Sequence, residues 1–462
     1  MKKITDFSRT IVALATALGA GSIAVIRMSG PQAISIINGV FKGKNLDKVN
    51  ANTIHYGRIV DGKREFDQVL ISVFRSPNSY TGEDYVEISC HANPFIVDDI
   101  IEVLMEHGAY SARPGEFTLR AFLNGKLDLS QAEAVAAIIQ AKSRFGIKNS
   151  LDQLNGKLAN RISDVRKQLI DIIGLMEVDL DFSEEEIEII PNEQIIYSLS
   201  EIEKNLNALK DSYNYAKLLE GGIHLTIIGE PNAGKSTLLN QLLGENRAIT
   251  SHIPGTTRDT IHENIVINDV LIKMVDTAGL RKTKDELESE GIQRTKSQAS
   301  QADIVLLVID ISKSISEESL QLINESVNWI KGQIVLVANK IDKGINQTTI
   351  KKLSRLSKKL IQISAISGKG LKQLEKAIVK QVSEGFESYS DDLIITSKRQ
   401  KEAIVKTSAY LANARHVLEN DGGFEFAAVD LRQALNELGE ITGETVTDDI
   451  LNHIFANFCI GK

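Results

Sequence analysis

The sequence predicts a multidomain chain that mixes α/β and all-α parts: an N-terminal α+β domain, then a helical domain split by an inserted parallel-sheet α/β domain. Three observations predict it. Residues 1–118 alternate β-rich runs with an amphipathic segment. Residues 119–219 and 382–462 carry helical periodicity with few breakers. Between them, across 220–381, short β-rich runs recur at helix-sized spacings, the pattern of a parallel sheet. A chain of 462 residues is also too long for one core, since domains hold roughly 100–200 residues each.

Taken in order, IVALAT and SIAVIRMSG read as two buried strands joined by a Gly-rich turn. This stretch imitates a secretory signal. However, Asp6 and Arg9 interrupt the basic region, and Thr16, Gly19, Gly21 and Ser22 interrupt the apolar run. The run is also short of the roughly 20 residues that span a bilayer. In YGRIVDGKREFDQVLISVFR, Asp61-Gly62 marks a hairpin turn between β-rich runs. PFIVDDIIEVLMEHGA is an amphipathic helix ending near Gly108. LSQAEAVAAIIQAKS opens with Ser130 and has Glu133 three residues later, which predicts a capping box. The acidic DLDFSEEEIEII has no His or Cys beside it and reads as a solvated helix end or loop. From Gly221 onward, IHLTIIG, VLIKMVD, DIVLLVID, QIVLVAN and LIQISA are the expected strands of the inserted sheet.

Composition narrows the function. A hydrophobic fraction of 42% and a charged fraction of 25% are those of ordinary globular protein. The net charge of −8 argues against coating nucleic acid by bulk electrostatics, while leaving room for a local basic site. Two cysteines, Cys90 and Cys459, make no disulfide framework and no Cys/His metal cluster. A cytoplasmic, non-membrane protein is the expectation.

The chemistry concentrates in the inserted domain. GEPNAGKST contains Gly229-x4-Gly234-Lys235-Ser236, a complete P-loop, after a strand and before a helix. Backbone N–H groups from Asn232 through Thr237, Ala233 included, would cradle phosphates. Lys235 would reach the β- and γ-phosphates and Ser236 would ligate Mg²⁺. NKID supplies Asn339, Lys340 and Asp342. A carboxylate there accepts two hydrogen bonds from the guanine edge, which adenine cannot offer, so GTP is the expected substrate. SAISGKG adds Ser364 and Ala365, whose backbone can touch the guanine carbonyl. DTAG, residues Asp276, Thr277, Ala278 and Gly279, is placed to orient Mg²⁺ and its water. The segment Ser251, His252, Ile253, Pro254, Gly255, Thr256 and Thr257 lies where a switch loop would meet the nucleotide, with Thr257 as the second Mg²⁺ ligand. Leu280 follows DTAG, where many GTPases carry a water-orienting glutamine, so catalytic help must come from elsewhere, such as the acidic KTKDELESEG.

Beyond these motifs, SPNSYTGEDYVEISCH, ARPGEFTLRAFLNGKLDLSQAEAV, GTTRD, DTAGLR, LGEITGE and ILNHIFANFCIGK occur in the order of one family. The sequence resembles the MnmE (TrmE) tRNA-modification GTPases over essentially its whole length. The resemblance implies an N-terminal folate-binding domain that also dimerises, so a homodimer, with a helical domain and an inserted G domain. It implies an FAD-carrying partner, MnmG (GidA), tRNA as the object, and modification of the wobble uridine at carbon 5 with a methylene-tetrahydrofolate donor. It also implies a K⁺-dependent approach of the G domains during GTP hydrolysis. Carried onto this chain, K⁺ falls to Asn232, Ser251, Ile253 and Thr256. A fixed cation there would neutralise phosphate charge as an arginine finger does. The catalytic carboxylate falls on Glu288. The folate site falls on Arg27, Glu87, Lys126 and Lys462, with Arg27 and Lys126 suited to the glutamate-tail carboxylates and Glu87 to the pterin's donor edge. The chain departs from the family at CHAN, where a Gly-rich HGG is common after the strand, and in ATALGAG, where a proline is usual.

Two other readings compete. A ribosome-assembly GTPase of the Era or Der type would carry a KH-type domain or a second G domain, whereas this chain has one P-loop and a helical C-terminal part without a GxxG clamp. A GTP-switched scaffold would need neither folate nor MnmG. The ending ANFCIGK has Cys459 at the position of a prenylated cysteine, but Lys462 is a poor last residue for that signal. Cys459 therefore reads as a packed anchor or a reactive thiol near the folate carbon. The tail reads as a tether, with Phe455, Phe458 and Ile460 as anchors that bring Lys462 to a pocket built by the other end of the chain.

Overall fold

The computed structural model describes residues 8–17, 21–141, 143–181, 191–246, 263–268, 270–274, 302–315, 317, 320, 330, 333–356, 360–383, 394–420 and 422–461. The chain divides into two compact units. One comprises Met1–Ile139, Leu151–Lys204 and Glu402–Lys462, the other Gln140–Ser150 and Asn205–Lys401.

In the first unit lie β1 (Ile11–Leu14), β2 (Ile23–Ser29), β3 (Phe41–Lys42), β4 (Thr53–Asp61), β5 (Arg64–Phe74), β6 (Tyr85–His91) and β7 (Tyr110–Ser111). They form one sheet in the order β3-β4-β5-β6-β2-β1-β7, antiparallel except where β7 pairs with β1. The hairpin expected at Asp61-Gly62 joins β4 to β5, with Gly62 at φ 55°, a left-handed value suited to so tight a turn. Successive strand residues point to opposite faces. Ala24, Ile26 and Met28 of β2, with Val86, Ile88 and Cys90 of β6, join the core shared with α1 (Ala33–Val40) and α2 (Pro94–Glu106). The departure at CHAN has a structural use: the Asn93 side chain accepts from Phe95 N and caps α2, ahead of Pro94 in its first turn.

The face carrying Arg27 and Glu87 is closed at one end by α3 (Glu116–Leu123), whose Phe117 packs with Ile11, Ala13 and Tyr85. Next comes α4 (Leu129–Gln140), and here the capping box differs from the one expected at Ser130 and Glu133. Asp128 is the cap: its Oδ1 accepts from Gln131 N at 3.0 Å, while Gln131 Oε1 accepts from Asp128 N at 2.9 Å. Ser130 Oγ donates to the same Asp128 oxygen. The physical reason is Leu129, which is wholly buried with Leu119, Leu451 and Phe455 and so must lie inside the helix. Three further helices follow, α5 (Arg144–Leu154), α6 (Lys157–Asp181) and α7 (Asn192–Gly221), of which α5 up to Ser150 and α7 from Asn205 belong to the second unit. Residues 182–190 of the acidic stretch lie outside the described residues.

In the second unit, β8 (Ile223–Gly229), α8 (Lys235–Asn246), β9 (Glu263–Ile267), β10 (Val270–Met274), β11 (Ile304–Asp310), β12 (Gln333–Asn339), α9 (Gln347–Leu356), β13 (Leu360–Gln362) and α10 (Leu371–Ser383) appear in turn. The sheet order is β13-β12-β11-β8-β10-β9, parallel except for β9. Along β11, Ile304, Leu306 and Val308 belong to one core cluster, and Val305, Leu307 and Ile309 to another. Burial on both faces explains why these strands read as unbroken apolar runs.

The first unit is completed by α12 (Phe424–Thr442) and α13 (Asp448–Ala456), together with most of the preceding α11 (Lys398–Glu419). Buried Leu158, Ile162, Val165, Leu169, Ile172 and Met176 make a stripe along α6, at spacings of three and four. It packs along α12, whose buried face includes Ala427, Ala428, Leu431, Ala434 and Leu438. Among the described residues, no helix is long and apolar enough to cross a membrane.

Candidate functional site

The nucleotide motifs meet at the carboxyl edge of the second sheet, where ligands of open α/β sheets bind. Gly229 ends β8, Asp310 ends β11 and Asn339 ends β12. The P-loop turns through Asn232 at φ 62° and Gly234 at φ 99°. A Cβ on Gly234 would lie 2.2 Å from Asn339 Nδ2, so glycine there answers to space as well as to backbone angle. Lys235 Nζ donates to the carbonyls of Gly229 at 2.8 Å and Glu230 at 2.7 Å, folding the lysine over its own loop. Burial lowers its pKa, partly offset by the charge of Glu230. Phosphate oxygens would compete for that ammonium. Ser236 and Thr237 stand in the first turn of α8, with backbone N–H groups at a helix N-terminus.

Asn339 holds the corner together. Its Nδ2 donates to Ala233 O of the P-loop at 2.8 Å, and its Oδ1 accepts from Ala365 N at 3.0 Å. Ser364 Oγ donates to Asp342 Oδ1 at 2.6 Å and orients that carboxylate. Three separated motifs thus form one constellation. Lys340 sends its ammonium to Asp310 Oδ2 at 2.7 Å. Sequence reasoning missed Asp310, although a carboxylate closing the apolar run DIVLLVID was a usable signal.

The Mg²⁺ and K⁺ expected from the sequence would need hard oxygen donors, and of the residues expected to hold them, the described Asn232 and Ser236 carry an amide carbonyl and a hydroxyl. Their remaining ligands, Thr257 for Mg²⁺ and Ser251, Ile253 and Thr256 for K⁺, lie outside the described residues. So do His252, Pro254, Gly255, Asp276, Thr277, Ala278, Gly279, Leu280 and Glu288.

The first unit carries a cavity of about 370 Å³, lined by Arg27, Phe74, Tyr80, Tyr85, Glu87, Val135, Ile138, Ile139 and Leu154. Its volume is in the range of small-molecule sites, roughly 300–1,000 Å³. Strand register sets Arg27 directly opposite Glu87, and Arg27 Nε donates to Glu87 Oε1 at 3.0 Å. Tyr85 donates to the same oxygen at 3.2 Å. Burial raises the Tyr85 pKa and outweighs the lowering by Arg27, so the phenol stays a donor. Most of the lining is apolar or aromatic, and the Arg27–Glu87 pair supplies its charged groups. Arg27, expected to face the glutamate-tail carboxylates of a folate, is engaged here with Glu87. Lys126 does not line the cavity; it is exposed and its stem lies beside Gly82.

The tail reaches this site. Gly115 N donates to Cys459 O at 3.4 Å, and Arg27 Nη1 donates to Gly461 O at 3.2 Å. A Cβ on Gly461 would meet Leu14 O at 2.2 Å, so only glycine fits against β1. Phe455 and Phe458 are the buried anchors. Ile460 is not one: it is 59% exposed, because the chain must turn at Gly461 to reach Arg27. Cys459 is exposed and Lys462 lies outside the described residues.

Comparison with known proteins agrees with this layout. The family model of the MnmE helical domain matches residues 129–459, and that of the GTP-binding protein TrmE N-terminus matches residues 10–126. The chain belongs to the MnmE family. The tRNA modification GTPase MnmE of Christiangramia forsetii is 42% identical over 470 residues, covering 98% of this chain and 99% of that protein. Those of Cytophaga hutchinsonii and Alkaliphilus oremlandii are 41% and 38% identical, each covering 99% of the relative and at least 98% of this chain. The MnmE helical match runs from α4 to the tail and so brackets the P-loop unit. The relatives are tRNA modification GTPases and this chain is a GTP hydrolase, with the P-loop joined through Asn339 to Ala365 as its candidate site.

Proposed function

We propose that this chain is a K⁺-dependent GTPase of tRNA modification, acting as a homodimer in the cytoplasm with the FAD protein MnmG. Together they alter carbon 5 of the wobble uridine, and a methylene-tetrahydrofolate supplies the carbon. The supporting observation is the coexistence, in one MnmE-family chain, of the P-loop corner and the Arg27–Glu87 cavity. In this reading Asp342 selects guanine, Lys235 and Mg²⁺ on Ser236 and Thr257 hold the phosphates, and Glu288 orients the attacking water. K⁺ on Asn232, Ser251, Ile253 and Thr256 supplies charge that Leu280 cannot. Mg²⁺ and K⁺ neutralise phosphate charge when bound. In the other unit Glu87 receives the pterin edge, Arg27 and Tyr85 hold that carboxylate in place, and the tail delivers Lys462. Arg27 orients Glu87, and Lys126 is assigned to the folate tail carboxylates.

The deciding experiment compares GTP hydrolysis in K⁺ and in Na⁺. Hydrolysis should fall at least tenfold without K⁺, and equal rates would remove the potassium site. Calorimetric titration with 5-formyl-tetrahydrofolate tests the second half. A chain that turns over GTP yet binds no folate would confine the reading to a GTPase.

A further inference from the structure

Among the described residues, four besides glycine have positive φ: Asn52, Asn232, Asn268 and Lys340. Asparagine tolerates that region because its short amide bonds locally, and lysine does not. Lys340, at φ 69°, is therefore strained, and such strain persists only where the surroundings impose it. Three contacts impose it here. Ile341 N donates to Ile363 O at 3.3 Å, Lys343 N donates to Lys340 O at 3.0 Å, and the Lys340 ammonium sits on Asp310 Oδ2 at 2.7 Å.

Asp310 is itself fixed. Its Oδ1 accepts from Ser312 N at 3.0 Å and from Ser312 Oγ at 2.6 Å. Burial alone would raise its pKa, but the bonds from Lys340 and Ser312 outweigh it and the net shift is downward. The pair is nearly shielded, with 18% and 13% of the two side chains exposed. An ammonium spent on Asp310 is not available as a phosphate-binding charge. What Lys340 offers beside Asp342 is its methylene stem.

We propose that Asp310 is a positioning residue for guanine-nucleotide binding: by holding the Lys340 ammonium at the end of β11, it fixes the lysine stem as an apolar wall of the base site. The inference rests on Asp342 as the reader of the guanine edge. A stem packed on the ring face stabilises any purine of that shape, whereas Asp342 discriminates at the edge.

The test uses the full chain carrying Asp310→Asn. That change keeps the acceptor for Ser312 and turns an amide donor toward Lys340. Dissociation of fluorescently labelled GDP should quicken about tenfold, and KM should rise about tenfold for both GTP and inosine triphosphate, with kcat within twofold. Unchanged dissociation and KM would overturn the proposal, as would a loss confined to GTP. If Asp310→Asn fails to fold, Ser312→Ala decides instead: dissociation two- to threefold faster supports the proposal, and none refutes it. Asp342→Asn runs in parallel. If that variant fails to lose GTP selectively over inosine triphosphate, the guanine reading is at fault and not the role of Asp310.

Discussion

Cys90 and Cys459 show how far surroundings decide what a residue does. Cys90 is buried in the first core, with Sγ 3.7 Å from Ala24 O. Burial, then the charge of Asp67, pushes its thiol up to about 11. Since that lies well above assay pH, Cys90 keeps its proton, and at pH 8 only about one molecule in a thousand carries the thiolate. Cys459 is exposed. A thiol-disulfide reagent at pH 8 should therefore modify one cysteine of the folded chain quickly and the second only after denaturation. Equal rates would mean that Cys90 is accessible. At this scale the nucleotide motifs were legible because their residue types are chemically specific. Asp310 offered a signal by closing an apolar run, but its partner was not legible, since nothing in a string shows that the end of β11 adjoins Lys340.

Caps and turns belong to the next scale. The hairpin at Gly62 was legible because the demand is local. The start of α4 was misjudged by two residues because two capping boxes overlap there, and burial of Leu129 chose between them. That start matters, since Val135, Ile138 and Ile139 of the same helix wall the cavity. Gln131 also donates from Nε2 to Leu154 O at 2.8 Å, fixing a second wall residue. Asp128→Ala should lower stability by about 1 kcal/mol, the usual cost of a lost helix cap, measured by urea unfolding. Ser130→Ala should cost less, since its hydroxyl donates to the cap and takes no helix N–H. The reverse order would restore Ser130 as the cap.

For the molecule as a whole, the long-range ties are decided by tertiary structure. Arg120 is wholly buried and binds Glu83 at 3.0 Å, Glu116 at 3.0 Å and the Arg9 carbonyl at 3.0 Å, joining segments far apart in sequence. Arg120→Met would strand two shielded carboxylates and should cost about 3–5 kcal/mol. Arg58→Ala, which breaks the exposed pair with Glu65, should cost less than about 1 kcal/mol. Comparable losses in urea melts of the full chain would show that Arg120 is not a buried tie. The sequence by itself determined the strands, the helical stretches, the P-loop and the guanine motif, because periodicity and phosphate chemistry act over a few neighbouring residues. Only the tertiary structure decided that Arg27 pairs with Glu87, that Asp310 holds Lys340 and that Gly461 comes back to β1. Those contacts depend on strand register and on packing between distant segments, which no local pattern encodes.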